Sequence, residues 1–358
     1  MLVTRERSAY SRNSHAVQPS RAAVAMTSSL LSKGAGWVPM GWVRPLSGVS
    51  LVVPFYHMVS DVHVPHVSNL YRFRNIAEFT SDVEFFASHF EPVTLKDIVD
   101  VLNGTRTLSR CCFHLTFDDG FREMHDIVAP ILQRAGVPAT FFLNTAFLDG
   151  GGLAHYNALS VLLDRAQLQH SRANPAGAQL ESILPAPKSG RATLRERMLS
   201  IGYARKSLVH TLAEALDFDL DHYVRESRPH LTSEQIVTLL NKGFSIGAHS
   251  HDHPLYADLS LSEQLMQTRM SMELLETRFG VSPKAFAFPH NDTGVQDEFF
   301  KTVFSESLLD VSFGTSGLVP HFHPRNIQRV SMEKTSAPAA RIVARQFTRA
   351  SYFRLRSH

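Results

Sequence analysis

The sequence predicts an α/β fold built on a parallel sheet. Short apolar runs alternate with stretches of helical character along most of the chain. The runs have the length and bulk of buried strands. The stretches between them carry helix caps and stop signals. Two of the runs lead directly into clusters of carboxylate or imidazole side chains. Sites at the carboxyl ends of strands are the habit of such folds.

In chain order, residues 1–48 are poor in acids and rich in Ser, Ala and Arg. The apolar stretch 22–31 is broken by Thr27, Ser28 and Ser29, so no clean signal peptide is present. We read 1–48 as a basic, disordered leader; neither a cytoplasmic nor an exported location follows from it. Residues 51–56 are a buried-strand candidate. Ile76, Phe79, Val83, Phe85 and Phe86 lie near helical spacing, predicting a helix over 76–90. A short extended piece at 93–95 and a helix over 95–102 follow, the latter ended by Asn103-Gly104. Residues 111–117 predict a second strand, 124–135 a helix stopped by Gly136 and Pro138, and 139–143 a third strand.

The composition shifts at Asp149-Gly150-Gly151-Gly152. Residues 150–229 hold helical patches, proline breaks and many charges, with no strand signal. We read them as a partly helical insertion that leaves from a strand end. It either shapes a substrate groove or decorates the periphery. The alternation then resumes. Thr232 or Ser233 caps a helix to 240, and a strand over 244–248 delivers His249. Ser260 with Glu263 forms a capping box for a helix to 279. A strand at 285–288, a helix at 295–304 and strands at 311–313 and 328–331 complete the main domain, 49–334. Residues 335–358 are a basic C-terminal tail or helix.

The net charge is +3, unevenly placed. Residues 1–50 and 335–358 each carry +5, which leaves −7 for the remainder. The folded part therefore lacks the basic face that a nucleic-acid partner needs. The basic ends read as solvated. Cys111 and Cys112 are adjacent, read as core residues and imply no disulfide framework. No apolar run is long enough to span a membrane as a helix.

The chemistry concentrates in Thr116-Phe117-Asp118-Asp119-Gly120 and His249-Ser250-His251-Asp252-His253-Pro254. One aspartate and two imidazoles four residues apart make three ligands for a divalent metal, with room left for water. The second carboxylate is then free to act as a base. Adjacent residues at a strand end point apart, so one aspartate can face the metal and the other the water. His251 lies two residues from each imidazole and should point elsewhere. Neutral imidazoles suit zinc and other borderline ions. His57 follows the first strand and should reach the same face, in substrate contact or in packing. Pro289, His290 and Asn291 can wall the site.

These motifs resemble the polysaccharide deacetylase family, the NodB-homology domain of carbohydrate esterases. Thr116 to Gly120 match its first motif, T-F-D-D-G, without change. His249, Ser250, His253 and Pro254 fit its second, H-S/T-x-x-x-H-P. Residues 55–59, 139–143 and 286–291 resemble further family segments. The resemblance implies a distorted, incomplete (β/α) barrel and a divalent metal, zinc first among candidates, on Asp119, His249 and His253. It implies Asp118 as general base toward a metal-activated water, and an N-acetylated glycan or polysaccharide as substrate. An O-acetyl esterase, another C–N amide hydrolase or an inactive glycan-binding relative are the competing readings.

The chain departs from the family pattern twice. No late L-x-H supplies the general acid, and His323 and His321 are the nearest candidates, with His323 taken as the acid. Ala287 stands where many members carry an arginine that orients the base. Arg329 resembles a residue of a late family strand and approaches the site from below.

Overall fold

The apolar runs become short parallel strands in the computed structural model, which describes residues 40–170, 180, 182–186, 192–319 and 323–356. They are β1 (Leu51–Val52), β2 (Pro54–Tyr56), β3 (Glu91–Pro92), β4 (Cys112–Phe113), β5 (Leu115–Phe117), β6 (Ala139–Leu143), β7 (Ser245–Ala248), β8 (Ala285–Ala287), β9 (Val311–Gly314), β10 (Asn326–Gln328) and β11 (Val330–Ser331). Parallel pairing joins eight of them in the order β10-β9-β8-β7-β6-β5-β2-β11. Only Arg329 separates β10 from β11, so the two edges of this sheet are consecutive pieces of one segment. The sheet is thereby curled into a distorted barrel with seven strand positions, one short of a complete (β/α) barrel.

Two predicted strands are each split. The runs 51–56 and 111–117 send their first halves, β1 and β4, into a separate three-stranded sheet with β3. His114 fills the parting between the sheets. Its ring bonds the Val93 carbonyl at 2.7 Å and Thr140 Oγ1 at 2.8 Å, and burial lowers its pKa to about 4. The barrel strands are buried on both faces, which is why they read as continuous apolar runs and not as alternation. On β7 only glycine fits at 247. A Cβ there would lie 2.5 Å from the Phe142 ring and 2.8 Å from the Ala285 carbonyl oxygen.

The predicted caps form: Thr232 with Gln235 starts Ser233–Asn241, and Ser260 with Glu263 starts Leu261–Phe279. A further capping box, Asn75 with Glu78, starts the helix Ile76–His89. Each such cap stabilises its helix by about 1 kcal/mol. Gly280 ends Leu261–Phe279 in the left-handed conformation (φ 63°). The helix predicted over 124–135 opens with a π turn, Met124–Val128, before the α-helix Ala129–Ala135. Pro130, which cannot donate, sits at that junction.

The chain ends differ from expectation. Within the region read as a disordered leader, Met40–Ser47 is a helix; residues 1–39 lie outside the described residues. It packs on the C-terminal helix Ala339–Arg356, where Ser351 donates to the Val43 carbonyl at 3.2 Å. That C-terminal segment is no solvated tail. Val343, Phe347 and Ala350 enter the main barrel core, while Arg341, Arg345 and Arg349 lie along another face of the helix.

Among the described residues the insertion carries four helices that share a core. His155–His170, Leu194–Leu199, Leu208–Ala215 and Leu220–Ser227 share an apolar cluster of their own, including Leu159, Leu162, Leu163, Met198 and Leu212. It is tied to the barrel loops by polar contacts. Asn69 Nδ2 donates to Asp164 Oδ1 at 2.6 Å, and Asn157 Nδ2 to the His66 carbonyl at 2.8 Å.

Candidate active site

The carboxyl end of β5 hands over directly to Asp118 and Asp119, and that of β7 to His249. Four non-glycine residues around this point hold left-handed backbone: Asp119 (φ 73°), Ser250 (70°), His253 (65°) and His290 (59°). Such a conformation costs of order 1 kcal/mol or more per residue and persists only where the surroundings enforce it. Its effect at Asp119 is to turn the second carboxylate away from the first.

Asp119, His249 and His253 converge. Asp119 Oδ1 lies 3.4 Å from His249 Nε2 and 3.2 Å from His253 Nε2, and the three ligand atoms all lie within 4.8 Å of one another. His249 Nδ1 donates to the Ala287 carbonyl at 2.8 Å, which leaves the Nε2 lone pair facing Asp119. Asp119 Oδ1 is buried without a hydrogen-bond partner among the described residues. Its other oxygen accepts from the Tyr71 hydroxyl at 3.2 Å. Burial alone would raise the Asp119 pKa, but His253 and His249 hold it well below the usual carboxylate range. A buried carboxylate oxygen facing two imidazole nitrogens is a donor set that fits a divalent cation, and one carboxylate with two imidazoles suits zinc.

Asp118 points elsewhere. Arg329 grips its two oxygens from Nη1 and Nη2, both at 2.7 Å, and both side chains are buried. Arg329 also donates to the Gly314 carbonyl at 3.2 Å and lies over the Phe55 ring at 4.6 Å. Burial raises the Asp118 pKa; the Arg329 charge more than offsets this and leaves it below the ordinary value. The arginine absent at Ala287 is thus supplied from the joint between β10 and β11.

His57 reaches the same face. Its Nδ1 meets Glu333 Oε2 at 2.6 Å, and the Glu333 carboxylate also accepts from the His57 and Met58 backbone N–H groups at 3.0 and 3.2 Å. Its ring lies 4.7 Å from that of Tyr71. Burial pushes the imidazole pKa down, but Glu333 more than reverses this and raises it to about 9. His290 is exposed and sets its ring edge-on to His253 at 4.5 Å. Pro289 is buried at the start of that loop. Tyr156, from the insertion, touches His290 at 5.6 Å. His251 turns away to Thr145 Oγ1 at 3.0 Å.

His323 is not part of this site. It precedes β10, so it lies at the opposite end of the barrel from Asp118, and it stacks on Phe304 (4.7 Å) and Phe300 (5.8 Å). Its Nδ1 accepts from the Arg325 backbone N–H at 3.1 Å. His321 lies outside the described residues. Sequence reasoning missed Glu333 and Tyr71 altogether. A carboxylate two residues past the end of β11 was the available signal for Glu333; none existed for Tyr71.

A family model described as polysaccharide deacetylase matches residues 105–180 and 209–300. The matched segments contain Asp118, Asp119, His249 and His253, and the break between them falls inside the insertion. Among solved structures, Streptococcus pyogenes deacetylase PplD in complex with acetate is 13% identical, with 83% of this chain and 98% of that one covered and a TM-score of 0.53. IcaB from Ammonifex degensii is 16% identical, covering 83% and 98%, with a TM-score of 0.51. A de-N-acetylase from Aggregatibacter actinomycetemcomitans is 15% identical, covering 80% and 96%, at 0.50. At these identities the likeness is one of fold. No curated protein matches significantly. With both motifs in place at the carboxyl ends of the strands of a matching barrel, the family match and the likeness of fold support a polysaccharide deacetylase of the NodB-homology type.

Proposed function

We propose that this protein is a metal-dependent hydrolase that removes N-acetyl groups from N-acetylated sugars within a glycan or polysaccharide. The reading is carried by one observation: two adjacent carboxylates with separate partners, Asp119 facing His249 and His253 and Asp118 facing Arg329. A divalent ion on Asp119, His249 and His253 supplies polarisation of the acetyl carbonyl and makes water more acidic.

The rest is the work of the chain. Asp118, kept ionised by Arg329, accepts the proton of the attacking water as the C–O bond forms. His57, kept protonated by Glu333, gives its proton to the sugar nitrogen as the C–N bond breaks. Acetate and a free amine are the products. An amine is a poor leaving group until protonated, so a histidine held charged at neutral pH favours amide over ester cleavage. Retention of the arginine–base pair by a different route speaks against an inactive glycan-binding relative. The test is acetate release by the zinc-loaded protein from N-acetylglucosamine oligomers and from acetylated xylan. Release from the first supports this reading; release from xylan alone replaces it with an O-acetyl esterase.

A further inference from the structure

Tyr71 stands outside the barrel strands, yet it touches both halves of the candidate site. Its hydroxyl donates to Asp119 Oδ2 at 3.2 Å, and its ring lies 4.7 Å from that of His57. The oxygen it holds is the one that does not face the imidazoles; Oδ1 does that. A carboxylate free to turn about its last bond can offer a cation both oxygens. One tethered at Oδ2 offers a single oxygen and leaves coordination space for water.

The loop that carries Tyr71 is pinned to the barrel at both ends. Val59 pairs with Arg74 in a parallel bridge, and the Ser60 N–H donates to the Arg74 carbonyl at 3.0 Å. Arg74 is itself buried against Asp82, at 3.1 Å. Between those ends, Val64 and Val67 pack with Met58 and Phe121. The insertion grips the loop just before Tyr71. Ser160 Oγ donates to the Pro65 carbonyl at 2.6 Å and accepts from the Asn69 N–H at 3.3 Å. Asn69 Nδ2 donates to the Ser160 carbonyl at 3.0 Å and to Asp164 Oδ1 at 2.6 Å. Arg195 Nε donates to the Asn69 carbonyl at 2.9 Å. Asn69 is two residues from Tyr71, and the helices that supply Ser160, Asp164 and Arg195 share one apolar cluster. They therefore act on the loop as a unit.

We propose that the insertion braces the metal centre: by gripping Asn69 it sets Tyr71 on Asp119 Oδ2, and Tyr71 is a positioning residue that keeps Asp119 a single-oxygen ligand. The proposal rests on the metal site of the function proposed above. It gives the insertion a role distinct from both shaping a groove and decorating the periphery.

The test is the zinc dissociation constant of the full chain, measured by competition with a chromogenic chelator. The chains compared are the wild type, Tyr71→Phe, the grip variant Asn69→Ala with Arg195→Ala, the combination of all three, and His253→Ala. Arg195→Ala alone, at an exposed site, is a milder grip variant. Tyr71→Phe keeps the ring and removes the tether. We expect its constant to rise about tenfold or more, the scale for losing an outer partner of a metal ligand. The grip variant should raise the constant several-fold in the Tyr71 chain and not at all in the Tyr71→Phe chain, since effects routed through one contact do not add. A general loss of stability would act equally in both. An unchanged constant in Tyr71→Phe, with binding that His253→Ala abolishes, overturns the proposal and leaves the metal site standing. A grip effect of equal size in both backgrounds, or in neither, overturns the link from the insertion to Tyr71. Zinc binding that His253→Ala leaves unchanged overturns the metal site and the proposal together. Acetate release by the zinc-loaded wild type is read separately. Its absence, with the affinities as expected, overturns the deacetylase reading and leaves the brace standing.

Discussion

Arg329 holds Asp118 by both carboxylate oxygens, each at 2.7 Å, across 211 residues of chain. Replacing Arg329 with Met leaves a buried carboxylate without its paired guanidinium. Its proton affinity then rises, because burial is opposed only by the weaker pull of His249 and His57. We expect the acid limb of the pH–rate profile to move upward by at least about one unit. Breaking one partner of a buried pair should cost about 3–5 kcal/mol of stability. Arg329→Lys keeps the charge but loses the fork, and should lie between. An unmoved acid limb in the folded Met variant would show that Arg329 does not tune the base.

Asp118→Asn removes the base while leaving Asp119, His249 and His253 in place. Zinc content should stay at the wild-type level, and acetate release should fall by about 10²–10⁴-fold. Near-normal turnover at matched metal content excludes Asp118 as the base.

Removal of metal has a thermodynamic as well as a catalytic signature. A chelator should abolish acetate release, and zinc should restore it. Zinc that binds only the folded state stabilises it by about 2.7 kcal/mol at a hundredfold excess over its dissociation constant. The thermal midpoint should therefore rise on adding zinc. His253→Ala, which removes one of the three converging atoms, should show little or no rise. An equal rise in that variant places the bound ion elsewhere.

With His57 as the proposed acid, the His57–Glu333 pair should set the alkaline limit. The imidazole pKa is about 9 in the folded protein against an ordinary 6.5, so the charged form is favoured by folding. Its contribution to stability is present below about 6.5 and is lost as pH rises through about 9. Activity should fall over the same upper range, as the acid loses its proton. Glu333→Gln removes the first cause of the upward shift, and burial then dominates. The alkaline limb should move down toward neutrality or below. Titration of the His57 ring by NMR measures the shift directly, and an unshifted value in Glu333→Gln refutes the pairing argument.

The legible parts of the site were those whose chemistry is local in the chain. Asp118 and Asp119 adjoin each other, and His249 and His253 lie one short loop apart, so spacing alone marks them. Arg329 and Glu333 meet their partners across 211 and 276 residues, and no local pattern reports that. An arginine inside a predicted strand was nevertheless a visible feature. His323 was misplaced because proximity in sequence to a late strand does not say which end of the strand it stands at. It precedes β10, whereas the functional residues follow their strands. The fold was read well wherever caps and apolar runs coincide, as at Ser260 and Ala139–Leu143. The split of 51–56 into two sheets was invisible, since a continuous buried run looks the same whether its partners change midway or not. The C-terminal helix was under-read. Arg341, Arg345 and Arg349 drew the eye to charge, although Val343, Phe347 and Ala350 already lay at core-facing spacing.

The joint between β10 and β11 ties the order of assembly to activity. The residue that bridges the two edges of the sheet is the same one that grips Asp118, so the proposed base acquires its partner only when the final seam of the ring is sewn. Asp119, His249 and His253, carried by the loops after β5 and β7, can meet before that event; Asp118 and Arg329 cannot. During refolding, recovery of metal affinity should therefore precede recovery of turnover. Turnover with the wild-type pH profile is therefore a direct report of ring closure.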